Sequence, residues 1–387
     1  MAFSVAQVRN LAVTAFSDTL RALRGELSRA KAIEHAPKCM AAVIATVLAV
    51  YLAHWLGLRE IWWSAVCAFA ITGQDTKTSL NQGMQQILGT VGGTAFGLML
   101  SKYVAGELGL FVFSITCVAA AGLYLATSRA ASYMWILSTS LAIYVIATTR
   151  SSSSTIAIAE ALSLDAVVGT ATYWVVNAAF NRLISATGLP KAASATAAPP
   201  PAGESFDVAS LRARNVFTGT LTTCILAYFA YRYPVDGFAQ AMTTALVILV
   251  VPLKIHRARS MYMVVLRMFH RLLGCLLGSL IACVVLPIAA GNVLYCTIAL
   301  CLAIWLSCHL RFGDSGIAYA GTQAGAVIIL AFVHDKIWFS DETGLAYARL
   351  TGIVSGTIAL AVVMAVVGSV FSCSRFSRRH FDASSDS

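Results

Sequence analysis

Residues 40–52 read Met40-Ala-Ala-Val-Ile-Ala-Thr-Val-Leu-Ala-Val-Tyr-Leu52, and residues 358–370 read Ile358-Ala-Leu-Ala-Val-Val-Met-Ala-Val-Val-Gly-Ser-Val370. Both runs are apolar on every face. A helix on a water-soluble domain would show one polar stripe, and a transmembrane strand would alternate apolar and polar residues. An all-round apolar run of this length is a helix surrounded by other apolar matter. The composition agrees: 58% of the 387 residues are hydrophobic, 11% are charged, and the mean hydropathy is +0.77. A soluble domain carries about 25% charged residues because its surface meets water. Most of this surface therefore meets lipid.

About 20 apolar residues cross a bilayer. Working outward from the two quoted runs gives segments near 39–58, 60–73, 88–105, 107–127, 131–149 and 156–180 in the first half. The second half gives 211–231, 236–253, 271–290, 292–309, 315–333 and 346–372. The shortest is 60–73, followed by the polar stretch 74–86, which reads as a broken helix or an interfacial segment. The fold expected is an all-α polytopic membrane protein with about 12 transmembrane helices in two parallel six-span repeats. The domain plan is a basic cytoplasmic segment over 1–38, a first repeat over 39–182 and a flexible linker over 183–210. A second repeat follows over 211–373, then a disordered polar tail over 374–387. The linker includes Pro199-Pro200-Pro201. No cleavable signal peptide is evident, so the first span reads as an uncleaved signal-anchor.

The net charge of +10 is explained by its distribution. With the amino terminus in the cytoplasm, only Arg59, Lys102, Arg150, Arg232, Lys336 and Arg349 of the 27 basic residues fall on outside segments. That bias predicts an inner-membrane, multi-pass protein with both termini cytoplasmic, and it removes the need for a nucleic-acid partner. The basic run Lys254, Arg257, Arg259, Arg267 and Arg271 reads first as a lipid-headgroup anchor. Its second reading is a positive mouth that concentrates anionic acids.

The halves repeat short patterns. Gln86-Ile-Leu-Gly89-Thr-Val-Gly-Gly93 parallels Arg271-Leu-Leu-Gly274-Cys-Leu-Leu-Gly278. Gly89 and Gly93, like Gly274 and Gly278, share one helix face and read as helix-packing positions. Ser132-Tyr133 parallels Ala318-Tyr319, and Asp165-Ala-Val-Val-Gly169 parallels Gly352-Ile-Val-Ser-Gly356. The basic segment before Ala41-Ala-Val-Ile-Ala, the pair Trp62-Trp63, and the stretch from Thr76 into Leu88-Gly89-Thr90-Val-Gly-Gly93 resemble the fusaric acid resistance/aromatic acid exporter superfamily. The resemblance covers nearly the whole chain. It implies an inner-membrane efflux component for aromatic carboxylic acids such as fusaric or hydroxybenzoic acid, driven by the proton gradient. It also implies a periplasmic adaptor protein and, in some members, an outer-membrane channel. Two departures stand out: members often carry a sizeable cytoplasmic domain that is absent here, and Gln86 stands where a basic residue commonly precedes the glycines.

Ionisable groups within spans are functional candidates by default. Asp165 comes first, a carboxyl inside the sixth span with no basic neighbour, suited to taking and releasing a proton. Glu160 and His54 are the other proton-coupling candidates, both nearer an interface. Arg349 suits a substrate carboxylate, or equally a snorkelling cation paired with Glu342. Tyr133, Tyr319, Gln323, Trp62 and Trp63 are candidates for an aromatic substrate path, against the alternative of interfacial belts. The pathway is expected between the repeats. The ten cysteines are spread along apolar runs and read as small buried hydrophobes. The group Cys296, Cys301, Cys308 and His309 has no zinc-like spacing, so no metal is expected. The absence of a Walker loop or a catalytic constellation argues against an enzyme, ATP hydrolysis or a cofactor. The partners expected are an anionic or aromatic solute and membrane lipid, with room for a homo-oligomer. The competing readings are an anion channel of the plant malate-channel type and a non-transporting subunit of an envelope assembly.

Overall fold

The structure is a computed structural model that describes residues 5–26, 29–73, 76–104, 106–128, 131–149, 155–187, 208–233, 237–251, 257–289, 291–313, 316–333 and 344–385. Among these residues the regular elements are helices: α1 (Val5–Glu26), α2 (Arg29–Trp55), α3 (Ile61–Ala70), α4 (Thr76–Val104), α5 (Leu108–Ser128), α6 (Ser132–Thr148) and α7 (Thr155–Thr187). They continue as α8 (Val208–Arg232), α9 (Phe238–Leu249), α10 (Arg257–Ala289), α11 (Val293–Arg311), α12 (Ala318–Phe332) and α13 (Gly344–Ser385). A helix satisfies its backbone hydrogen bonds internally, as a hydrocarbon solvent requires. From α2 onward the helices follow the predicted segments one for one.

Their lengths differ from the sequence expectation. Among the described residues, seven helices are long and apolar enough to cross a membrane, while α3, α6, α9 and α12 are apolar but shorter. At 1.5 Å per residue, the ten residues of α3 reach about 15 Å, half of a ~30 Å hydrocarbon core. Glycines in the left-handed region set several of these limits: Gly73 (φ +87°) follows α3, Gly237 (φ +100°) precedes α9 and Gly316 (φ +84°) precedes α12. The polar stretch after α3 is no loose connector. From Thr76 it is already α4, and it is held to α7 where Trp174 Nε1 donates to the Ser79 carbonyl at 3.4 Å. The basic amino-terminal segment likewise forms α1 and the start of α2. α13 runs on past residue 374, where the polar tail begins, to Ser385. The linker lies largely outside the described residues.

Outward faces carry long apolar ladders. Leu276, Leu280, Val284 and Ile288 on α10 are exposed at four-residue spacing, as are Leu294, Ile298, Leu302 and Leu306 on α11. Exposed stripes of this size would be untenable in water and are natural against lipid tails.

Helix contacts repeat with an offset of six helices. α4 packs on α6 as α10 packs on α12, and α3 packs on α7 as α9 packs on α13. The same correspondence holds for α5 with α6 and α11 with α12, and for α2 with α3 and α8 with α9. Contacts between the halves are reciprocal as well: α5 meets α8 while α11 meets α2, and α6 meets α9 while α12 meets α3. The halves interlock. One apolar core joins Val43 and Phe69 to Ile304, Ile328 and Phe332, and another joins Phe111, Leu123 and Ile143 to Met242 and Leu246.

Candidate functional site

The glycine faces bring the polar groups together. An added Cβ on Gly89 would lie 2.8 Å from the Met134 carbonyl oxygen, and one on Gly93 would overlap the Ser138 backbone, so α4 and α6 touch backbone to backbone. Gly274 and Gly278 do the same for α10 against Ala320 and Ala324 of α12. One turn before the first glycine of each pair sits a polar side chain that meets the tyrosine opening the partner helix. Tyr133 OH donates to Gln86 Oε1 at 2.6 Å, and Arg271 Nη1 donates to Tyr319 OH at 3.1 Å. Gln86 Nε2 also donates to the Cys67 carbonyl at 3.0 Å and to Thr170 Oγ1 at 3.3 Å. Arg271 Nε donates to Thr244 Oγ1 at 3.2 Å. Corresponding positions in the two halves thus hold a neutral amide in one and a cation in the other.

Arg271 and Arg267 depart from a headgroup-anchor reading. Arg271 is 5% exposed. Arg267 is half-buried, lies over the Tyr319 ring at 5.5 Å and donates to the Val250 carbonyl just past α9. Gln323, one turn beyond Tyr319, is half-buried against Gly274.

A second constellation centres on α3. Asp165 of α7 is fully buried, and Ser64 Oγ lies 2.5 Å from its Oδ1 and 2.9 Å from its main-chain oxygen. Gly169, one turn on, gives α3 room, since a Cβ there would overlap the Ser64 carbonyl. Two residues before Ser64, the Trp62 ring lies beneath the Arg349 guanidinium at 5.6 Å, and its Nε1 donates to Glu60 Oε2 at 2.7 Å. Trp63 meets Trp62 edge-on at 5.3 Å and is buried, its Nε1 without a hydrogen-bond partner among the described residues. Asp165 and Arg349 therefore meet the same short helix from different halves of the chain. At its other end, Arg311 of α11 donates to the Phe69 and Ala70 carbonyls and lies 5.1 Å from the centre of the Phe69 ring. A helix ending inside apolar surroundings leaves carbonyls unsatisfied, and Arg311 meets that need from the second half.

Glu160 and His54 are both exposed, apart from this arrangement. The sequence reading did not single out Ser64, Glu60 or Arg311. Ser64 and Glu60 lie within or beside a segment whose short length was visible, and Arg311 resembled a routine terminal cation. A further group also escaped it: Glu26 is fully buried, with Lys31 Nζ at 2.8 Å and His35 Nε2 at 4.0 Å, and its main-chain oxygen lies 2.7 Å from His309 Nε2.

Residues 48–176, from within α2 to within α7, match the family model described as fusaric acid resistance protein-like. The match spans one third of the chain, and over that region the resemblance read from the sequence stands. No curated protein and no solved structure matches the chain. Family match and apolar helices together mark a multi-pass membrane protein of transporter type.

Proposed function

We propose that the chain is a bacterial inner-membrane exporter of small aromatic carboxylic acids, proton-driven, with Asp165 as the group that carries the proton. The carrying observation is the Ser64–Asp165 geometry. A hydroxyl has one hydrogen, yet Ser64 Oγ lies within hydrogen-bond distance of two Asp165 oxygens. With an ionised carboxylate, one of these contacts lacks a hydrogen. With a protonated carboxyl, Asp165 Oδ1–H donates to Ser64 Oγ while Ser64 donates to the main-chain oxygen, and both contacts are complete. A buried carboxyl with a place for its proton, on a membrane helix, suits proton coupling.

The reciprocal helix contacts support a plan of twelve helices in two parallel repeats, with short α3, α6, α9 and α12 meeting across the halves, and the distribution of basic residues supports cytoplasmic termini. Trp62 and Arg349 then face the periplasmic side, and Gln86, Tyr133, Arg271 and Tyr319 lie nearer the cytoplasm. The solute passes between the repeats and leaves toward a periplasmic adaptor. The chain performs transport and not catalysis.

The test is uphill export of 4-hydroxybenzoate or fusarate in everted vesicles under an imposed proton gradient. The expected result is accumulation by the wild type and none by Asp165→Asn. Downhill anion flux that Asp165→Asn leaves intact would instead identify a channel. Unchanged sensitivity to both acids after deletion, with no flux in vesicles, would favour a non-transporting subunit.

A further inference from the structure

We propose that Arg271, with Arg267, Tyr319 and Thr244, forms a site for one carboxylate per chain, placed in the second half at the start of α12. The exporter reading supplies only the ligand class, a small aromatic acid. The site stands on an uncompensated charge. Arg271 is buried, and its two hydrogen-bond partners, Thr244 and Tyr319, are neutral hydroxyls. Those bonds engage two of the five N–H donors a guanidinium carries. Arg267 alongside bonds a main-chain carbonyl and covers the Tyr319 ring. The ion pairs among the described residues lie in α1 and α2, none of them at these arginines. A buried cation without a counter-charge is costly, and a bound carboxylate removes that cost through charge-assisted, fork-shaped hydrogen bonds.

Two further observations point the same way. Among the described residues, Ile317 at the N-cap of α12 makes no side-chain cap bond, and the positive end of the α12 dipole beside Tyr319 favours an anion. The first half supplies an internal control. At the corresponding position Gln86 is neutral, and its amide is satisfied by Cys67, Thr170 and Tyr133. The cation beside that corner, Arg311, interacts with Tyr133 but is already held by the Phe69 and Ala70 carbonyls, so one site per chain is expected. α1 covers the rim, with Ala22 and Leu23 packed with Leu273, Ile317 and Ala320.

The experiment is calorimetric titration of 4-hydroxybenzoate into the full-length protein in zwitterionic nanodiscs. One saturable site is expected. Arg271→Gln, which installs the side chain the first half already accommodates, weakens binding by about tenfold or more, the loss of one or two charge-assisted bonds. Arg271→Lys restores part of it, and Gln86→Ala leaves it unchanged. Arg271→Gln that elutes and melts like the wild type and binds normally would overturn the site. So would phosphatidylglycerol retained in an Arg271-dependent way with no binding of the acid, which would make this a lipid site. Intact Arg271-dependent binding without any transport would remove the exporter reading and leave the site standing.

Discussion

Ser64 Oγ lies 2.5 Å from the Asp165 carboxyl and 2.9 Å from the Asp165 main-chain oxygen, joining short α3 to long α7 inside the bundle. If the carboxyl holds its proton against Ser64, its C=O stretching band is visible by infrared difference spectroscopy and vanishes in Asp165→Asn. In Ser64→Ala the band shifts to higher frequency, because the O–H has lost its acceptor. Finding no Asp165-dependent carboxyl band at any pH would remove the proton from this site.

Arg311 ties the second half to the end of α3 through the Phe69 and Ala70 carbonyls. Arg311→Gln is expected to lower stability by about 1–3 kcal/mol, since it leaves buried carbonyls without their donor. Arg311→Lys should recover little, because a point charge cannot replace a planar fork at two oxygens. Thermal unfolding in detergent reads both changes. Equal melting of Arg311→Lys and the wild type would show that charge alone suffices.

Gly92 and Gly93 are neighbours with opposite expectations. A Cβ on Gly93 would overlap the Ser138 backbone, whereas the nearest atom to one on Gly92 is Ser138 Oγ at 3.9 Å. Gly93→Ala should destabilise by roughly 1–3 kcal/mol through forced separation of α4 and α6. Gly92→Ala should be neutral or slightly stabilising. Comparing their melting temperatures and expression levels is sufficient, and equal behaviour would contradict the close approach.

The fully buried Glu26 receives a hydrogen bond from Lys31 at 2.8 Å at the junction of α1 and α2. Lys31→Met strands part of that charge and is expected to cost on the order of 3 kcal/mol. Limited proteolysis should then cut within α1 before the rest of the chain. Glu26→Gln combined with Lys31→Met should recover much of the loss, because the buried charge goes with its partner. A double variant cut as readily as Lys31→Met would assign the effect to lost packing.

Much of this protein is legible in its sequence. All-round apolar runs such as Met40–Leu52 dictate helices in lipid, and the order of α2–α13 follows directly from them. The glycine spacing at Gly89, Gly93, Gly274 and Gly278 is equally local, because a helix places residues four apart on one face. What the sequence by itself could not decide was which helices stop short and what each polar group meets. α3 ends after ten residues because Gly73 turns the chain and Arg311, 242 positions after Phe69, donates to its last carbonyls. Arg271 has the same composition signal as any terminal cation, and only the packing of α10 on α12 buries it beside Tyr319. Hydrophobic patterning is a short-range property of the chain, set by which residues lipid accepts. Pairing of a buried charge or hydroxyl is long-range, and it is decided by which helices tertiary packing brings together.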